Sequence, residues 1–297
     1  MARIHSHTAY SGALVSILHV RCRLAASAPG GEERSESHNV VFPRAGVFVK
    51  HVGGRRVVAD PTQVLFSNRG EPYRVSHPVP GGDDCTVFAC SPEVLLDALS
   101  PYEPAVQDRP ERPFSFTHAA ANPRVLLRQQ RLWQRLCRGA LAPLEVEETA
   151  FGILRQIVRT ACRGRGAPRV RRAGTARQRR EWVERVRLLL AAEPAANPSL
   201  AALAKAVHCS PFHLARTFRN EVGLPIHQYL LRLRLSLALE RLGERGVGLG
   251  ALALDLGFSS HGHFTTAFQR AFGLSPSAFR RTATAVRVRE TSKILEI

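Results

Sequence analysis

Between residues 199 and 281, apolar positions recur at three- and four-residue intervals, and the same order appears twice. Leu203, Ala204, Val207, Phe218 and Gly223 fall over Leu252, Ala253, Leu256, Phe268 and Gly273 once one extra residue is placed in the second turn. Each copy therefore predicts a helix, a turn and a second helix. In the first copy Ser210 precedes Pro211, an N-cap followed by proline at the first helical position, and Gly223 suits the C-terminal cap. In the second copy Gly257 turns the chain, and Ser259 or Ser260 caps a helix bearing Phe264, Phe268 and Phe272. Pro225 opens a third periodic segment that runs to about Gly243. At about 1.5 Å per residue that helix is roughly 27 Å long, close to the roughly 34 Å between successive major-groove faces of a duplex.

The pattern before residue 120 has a shorter period. Runs at 13–20, 46–52, 56–59, 64–67, 73–76, 86–90 and 114–118 are rich in β-formers, with turn signals such as Gly53-Gly54 and Asn68-Arg69-Gly70 between them. Many short strands at close spacing predict a barrel or sandwich. Ser91-Pro92-Glu93 caps a brief helix through Leu99. Helical periodicity returns at 122–162, with one helix closed by Gly139 and another opened by Pro143. These two helices either cover one face of the barrel or join two subunits. The fold class is thus α+β and multidomain, with a β-barrel and two following helices ahead of an all-α domain.

Charge sharpens the division. The chain has 297 residues and a formal net charge of +18, and after residue 162 it holds 23 basic against 9 acidic side chains, which leaves +4 for the first 162 residues. The excess falls on the half with the helical repeat, as a phosphate-binding surface requires. Residues 163–180 contain eight arginines and no acid, so a flexible basic linker is expected there. The expected domains are 1–162, a linker at 163–180, a helical domain at 181–285 that starts with a helix at 181–193, and a tail at 286–297.

The helical half resembles the DNA-binding domain of the AraC/XylS family of bacterial transcription regulators. The resemblance rests on Arg234-Leu235-x-x-Ala238, on residues 251–256, and on the run from Gly257-Phe258-Ser259-Ser260 through Phe264, Phe268, Phe272-Gly273, Ser275-Pro276 and Phe279-Arg280. It implies two helix-turn-helix units joined by a long helix. The first half is similar to the cupin-like sensor domains of the same family, through Phe42-Pro43-Arg44-x-Gly46-x-Phe48, Ala59-Asp60-Pro61-Thr62 and Tyr73-Arg74-x-Ser76-His77-Pro78. A small-molecule effector, a homodimer, double-stranded promoter DNA and RNA polymerase are the partners implied, and activation is the commoner outcome in relatives.

With Leu214 and Phe218 facing inward, the first recognition helix offers Phe212, His213, Ala215, Arg216 and Arg219 to DNA. The resemblance places base contacts at Phe212, Ala215 and Arg216, and a bidentate Arg216 on guanine is the strongest of them. The second helix offers His261, Gly262, His263, Thr265 and Thr266, a short set that predicts readout of backbone and shape. Arg232, Arg270, Arg280 and Arg281 are candidates for phosphate contacts.

Other functions are weighed against this one. Cys22, Cys85, Cys90, Cys137, Cys162 and Cys209 show no paired spacing, so neither a zinc site nor a disulfide framework is expected. A metal-dependent cupin enzyme needs a close His pair, yet His38, His51 and His77 stand singly and His5-x-His7 falls in an N-terminus expected to fray. No catalytic residues, metal or cofactor are expected. A non-specific nucleic-acid-binding protein accounts for the arginines but not for the repeat. No apolar stretch reaches 18 residues, so a cytoplasmic chain without a membrane partner is expected.

Overall fold

Alternation decides how the first 120 residues fold. In the computed structural model, which describes residues 3–139, 141–163, 173–243, 247–283 and 293–295, these residues form β1 (Arg3–Ser11), β2 (Val15–Arg23), β3 (Glu33–Arg34), β4 (His38–Gly46), β5 (Phe48–Val52), β6 (Arg55–Ala59), β7 (Gln63–Ser67), β8 (Pro72–Ser76), β9 (Asp83–Cys90) and β10 (His118–Ala120). One antiparallel sheet runs β10-β7-β4-β9-β2-β1-β11, with β11 (Lys293–Leu295) returning from the far end of the chain. The other runs β3-β8-β5-β6.

The middle of the larger sheet, β7, β4 and β9, is buried on both faces. Val40, Phe42, Val64, Phe66 and Phe88 point to one side, where they meet α1 (Pro92–Leu99), α2 (Pro123–Leu136) and α3 (Pro143–Arg163). Val41, Leu65 and Cys85 point to the other side and meet Phe48, Val57 and Ala59 of the smaller sheet. The outer face of the smaller sheet is covered in turn by a helix of the second half. Val47, Val49, Val58 and Val79 pack on Leu188 and Ala191 of α4 (Ala173–Ala192).

Lys50 is buried inside the barrel at 4% exposure. Its Nζ donates to Phe66 O at 3.3 Å and to Ser67 Oγ, above the Tyr73 ring. Burial lowers its pKa to about 8, against the opposing pull of Glu71. The folded value lies below the unfolded one, so the unfolded chain holds more protons between about pH 8 and 10.5, and folding gains stability as pH rises through that window. Urea unfolding should show the wild-type chain gaining on Lys50→Met by on the order of 3 kcal/mol from pH 8 to 10.5. A difference that stays flat would mean an unperturbed ammonium.

The second half continues with α5 (Leu200–Ala206), α6 (Pro211–Val222), α7 (Ile226–Arg241), α8 (Leu249–Asp255), α9 (His261–Phe272) and α10 (Pro276–Ala283). The two halves touch. Helix α2 packs on α7 and α9, α7 on β4, and α4 on β6.

Three sequence expectations need correction. The N-terminus with His5 and His7 does not fray, because β1 pairs with β2 along its whole length, from Arg3↔Arg23 to Ser11↔Ser16. Residues 114–117 are not a strand; the Asn68 side chain takes both backbone groups of Phe114, bonding its N–H at 3.0 Å and its carbonyl at 2.9 Å. The basic linker is shorter than expected, since residues 173–180 belong to α4, where Arg177 pairs with Glu181 one turn on. Residues 164–172, 286–292 and 296–297 of the expected linker and tail lie outside the described residues.

Candidate nucleic-acid interface

Both recognition helices are built by the same local chemistry. Ser199 caps α5 by accepting from Ala202 N at 3.1 Å. Leu203, Ala204 and Val207 bury its apolar face. His208 takes the turn at φ +53°. Ser210 then caps α6 through His213 N at 3.2 Å, with Pro211 in the first turn. Leu214, Thr217 and Phe218 face inward, and Gly223 ends the helix in the left-handed region.

The second unit repeats this with one more residue in its turn. Leu252 and Ala253 of α8 are buried, Ser260 rather than Ser259 caps α9 through His263 N at 3.1 Å, and Gly273 closes it at φ +78°. Phe264, Phe268 and Phe272 form the inward stripe. Gly257 makes the turn at φ +79°, where a Cβ would stand 2.4 Å from Ala195 O, so only glycine fits.

Helix α7 is the spacer. Its Tyr229, Leu230 and Leu233 belong to the core of the first unit, and Leu235, Ala238 and Leu239 to that of the second. The 16 residues span about 24 Å, and the helix ends at Arg241, two residues before the expected limit.

Arg234 knits the pieces together. This side chain of α7 is 7% exposed. It donates from Nε to Pro194 O at 2.7 Å, from Nη1 to Gly257 O at 2.9 Å, and from Nη2 to Ala196 O at 2.9 Å and Asn197 Oδ1 at 3.0 Å. One guanidinium therefore ties the approach to the first unit to the turn of the second.

A second arginine ties this half to the barrel. Arg187 of α4 donates from Nη2 to Asp60 Oδ2 at 2.5 Å and to Val58 O at 2.8 Å, and from Nε to Tyr229 Oη at 3.1 Å. Tyr229 Oη donates to Asp60 Oδ2 at 2.5 Å, while Thr62 N donates to the other oxygen at 2.8 Å. Asp60 has no exposed surface. Burial alone would raise its pKa, but the Arg187 charge and the hydrogen bonds from Thr62 and Tyr229 hold it below the ordinary value. At the other end of α7, Glu240 faces Arg44 at 3.4 Å and accepts from Gln130 Nε2 at 3.1 Å.

Among the expected contact residues of α6, Phe212 is 77% exposed, and Arg216 and Arg219 are also exposed. Phe212 and Arg216 line a groove with Pro198, Leu200, Ile226 and His227. Ala215 is half-buried. His213 is half-buried as well, its ring set edge-on to Trp182 of α4 with centroids 5.3 Å apart, so it is occupied within the fold.

On α9, His261, Gly262, His263, Thr266 and Arg270 are exposed and Thr265 is half-buried. His263 is drawn back onto Ser259 Oγ at 3.1 Å and against the Phe258 ring, and His261 bonds Thr265 Oγ1 at 3.4 Å. Arg281 is exposed, whereas Arg232 and Arg280 are half-buried. The supporting roles of Arg187 and Tyr229 were not visible in the sequence, because their partner Asp60 lies 127 and 169 residues away.

The fold also gathers side chains that spacing did not connect. Cys22, His77 and Asp83 meet inside the barrel, all buried, with their donor atoms within 4.8 Å of one another.

Two capped recognition helices carried on one rigid spacer, with apolar stripes buried and opposite faces open, define a double helix-turn-helix DNA-binding domain. Residues 203–282 match a family described as a helix-turn-helix domain. LumQ of Photobacterium leiognathi, a probable transcriptional regulator, is 35% identical over 82 residues, covering 28% of this chain and 33% of its own. AdaA of Bacillus subtilis, a bifunctional transcriptional activator and DNA repair enzyme, is 28% identical over 101 residues, covering 34% of this chain and 48% of its own. A putative AraC-like transcription regulator of Streptomyces antibioticus is 34% identical over 89 residues, covering 30% of this chain and 29% of its own. The chain thus spans 33%, 48% and 29% of these relatives' lengths. It carries a DNA-binding domain of the AraC/XylS family.

Proposed function

We propose that the chain is a sequence-specific DNA-binding transcription regulator whose N-terminal barrel takes an effector or partner and passes its state to the two helix-turn-helix units. The observation that carries this reading is the pair of recognition helices, with Phe212, Arg216 and Arg219 exposed on one and His261, Gly262, His263 and Thr266 on the other, while α7 fixes the distance between them. The bonds from Asp60 and Arg44 to α4 and α7 support the link between barrel and DNA-binding half. The net charge of +18, concentrated after residue 162, suits a phosphate backbone. None of the described helices is long and apolar enough to cross a membrane. On this reading the chain works in the cytoplasm, acts without catalysis, and presents two copies to paired half-sites and to RNA polymerase.

Arg216→Ala tests the reading. Against the promoter-proximal DNA of its own gene at about 0.15 M salt, the variant should lose about 1–3 kcal/mol of affinity, a five- to 150-fold weakening. Affinity for a scrambled duplex should change little. Fluorescence anisotropy on both duplexes across a salt series separates the cases, because equal loss on both would make Arg216 a phosphate contact and remove the sequence-specific role of α6.

A further inference from the structure

The buried cluster inside the barrel has the chemistry of a coordination site. We propose that Cys22, His77, Asp83 and Cys85 hold a thiophilic divalent cation of the Zn²⁺ class between the two sheets. Cys22 of β2 stands directly opposite Asp83 of β9 in the strand register, so both side chains leave the sheet on the same face. Cys85, two residues further along β9, shares that face, and its Sγ lies 3.1 Å from Asp83 Oδ2. His77 comes from the opposite side, just after β8 of the smaller sheet, and places Nε2 2.7 Å from Asp83 Oδ1.

All four residues are buried, at 5%, 5%, 7% and 3% exposure in chain order. Two thiols, an imidazole and a carboxylate are donors that select zinc-like ions over magnesium or calcium, and four of them meet the tetrahedral count. A Zn²⁺ ion with ligands at about 2.0–2.3 Å needs donor atoms about 3.3–3.8 Å apart. Asp83 stands closer than that to His77 Nε2, at 2.7 Å, and to Cys85 Sγ, at 3.1 Å, while the donor atoms of Cys22, His77 and Asp83 all lie within 4.8 Å of one another, so an entering ion parts the Asp83 contacts and draws the Cys85 thiol in as the fourth donor.

The backbone around the cluster is already fixed. Gly82 approaches so closely that a Cβ on it would stand 2.0 Å from Cys22 O, and a Cβ on Gly46 would stand 2.0 Å from Gly82 O. Both glycines have positive φ. His77 is held by paired backbone bonds with Ser27, at 3.2 and 2.8 Å. Three chain segments are thus locked together around the donors before any ion arrives, as a preorganised site requires. An ion here joins β2 and β9 of one sheet to the loop that leaves the other.

The full-length chain, stripped with a chelator under reducing conditions, is titrated with Co²⁺ and read by absorption. One equivalent should produce thiolate-to-cobalt charge-transfer bands in the near ultraviolet together with the strong visible bands of tetrahedral cobalt, and Zn²⁺ should abolish both. Cys22→Ser and His77→Ala should weaken binding at least tenfold, while Cys90→Ser and Cys209→Ser leave it unchanged. Zn²⁺ should also raise the melting temperature of the wild-type chain by several degrees. Absence of a stoichiometric thiolate band in the wild-type chain overturns the site whatever the variants do. So does a band that survives Cys22→Ser and His77→Ala.

Discussion

Asp60→Ala is expected to lower stability by about 3–5 kcal/mol, because it leaves the Arg187 guanidinium buried without a counter-charge. Arg187 is 8% exposed and sits in a pocket closed by Tyr229, itself 1% exposed, so water cannot replace the carboxylate without opening the contact between α4 and the barrel. Thr62, Tyr229 and Arg187 would all lose the acceptor they share. The cost belongs to breaking the pair and not to lacking it, so Asp60→Leu combined with Arg187→Met should be milder than either single change.

The pH dependence has a definite sign. The folded-state pKa of Asp60 is depressed, so its contribution is present above the ordinary carboxylate range and disappears as pH falls through the folded value. Urea unfolding of wild type and Asp60→Asn should therefore differ by a constant amount from neutral pH to about 4, then converge in stronger acid. The variants should also broaden the unfolding transition, because the buried contact of α4 and α7 with Asp60 is lost while Arg44–Glu240 and the packing of α2 on α7 remain. A single unaltered transition in Asp60→Ala would show that the cluster contributes nothing to coupling the halves.

Arg234→Ala carries the second large effect, about 3–5 kcal/mol, with loss of DNA binding by both units at once. The reason is again burial. The guanidinium satisfies the carbonyls of Pro194, Ala196 and Gly257, and without it those acceptors face each other unpaired. Arg234→Lys should rescue little, because an ammonium cannot reach in the three directions that the planar fork spans. Circular dichroism with DNA binding to both halves of a target site decides the point. If helicity and binding at one half persist in Arg234→Ala, the arginine holds one unit only.

The helical half was legible because its signals are local. Ser199, Ser210 and Ser260 each cap a helix within three residues of themselves, and Gly223 and Gly273 end helices by their own backbone freedom. The extra residue inferred in the second turn is there, between Leu256 and Ser260. The barrel was less legible. Strand β4 escaped notice because Pro43 interrupts a strand pattern; the register shift between Pro43 and Ala45 is what accommodates it. Strand β1 hid behind a polar sequence of His, Ser and Thr that shows no apolar alternation, although it pairs with β2 from Arg3 to Ser11. The run at 114–118 misled in the opposite sense, since Phe114 and Phe116 are apolar to pack on Phe66 and not to extend a sheet. Cys22 and His77 were read as isolated because only the β2–β9 register and the loop after β8 bring them together.

Both ends of α7 are bonded to the barrel, Tyr229 to Asp60 and Glu240 to Arg44. The halves are consequently not interchangeable parts. A foreign N-terminal domain grafted before Ala173 must bring a carboxylate to meet Arg187 and a cation to meet Glu240, or the chimaera inherits two stranded charges, one on α4 beside Tyr229 and one at the far end of α7. Recombination that shuffles such domains would be filtered at these two positions before any promoter is encountered.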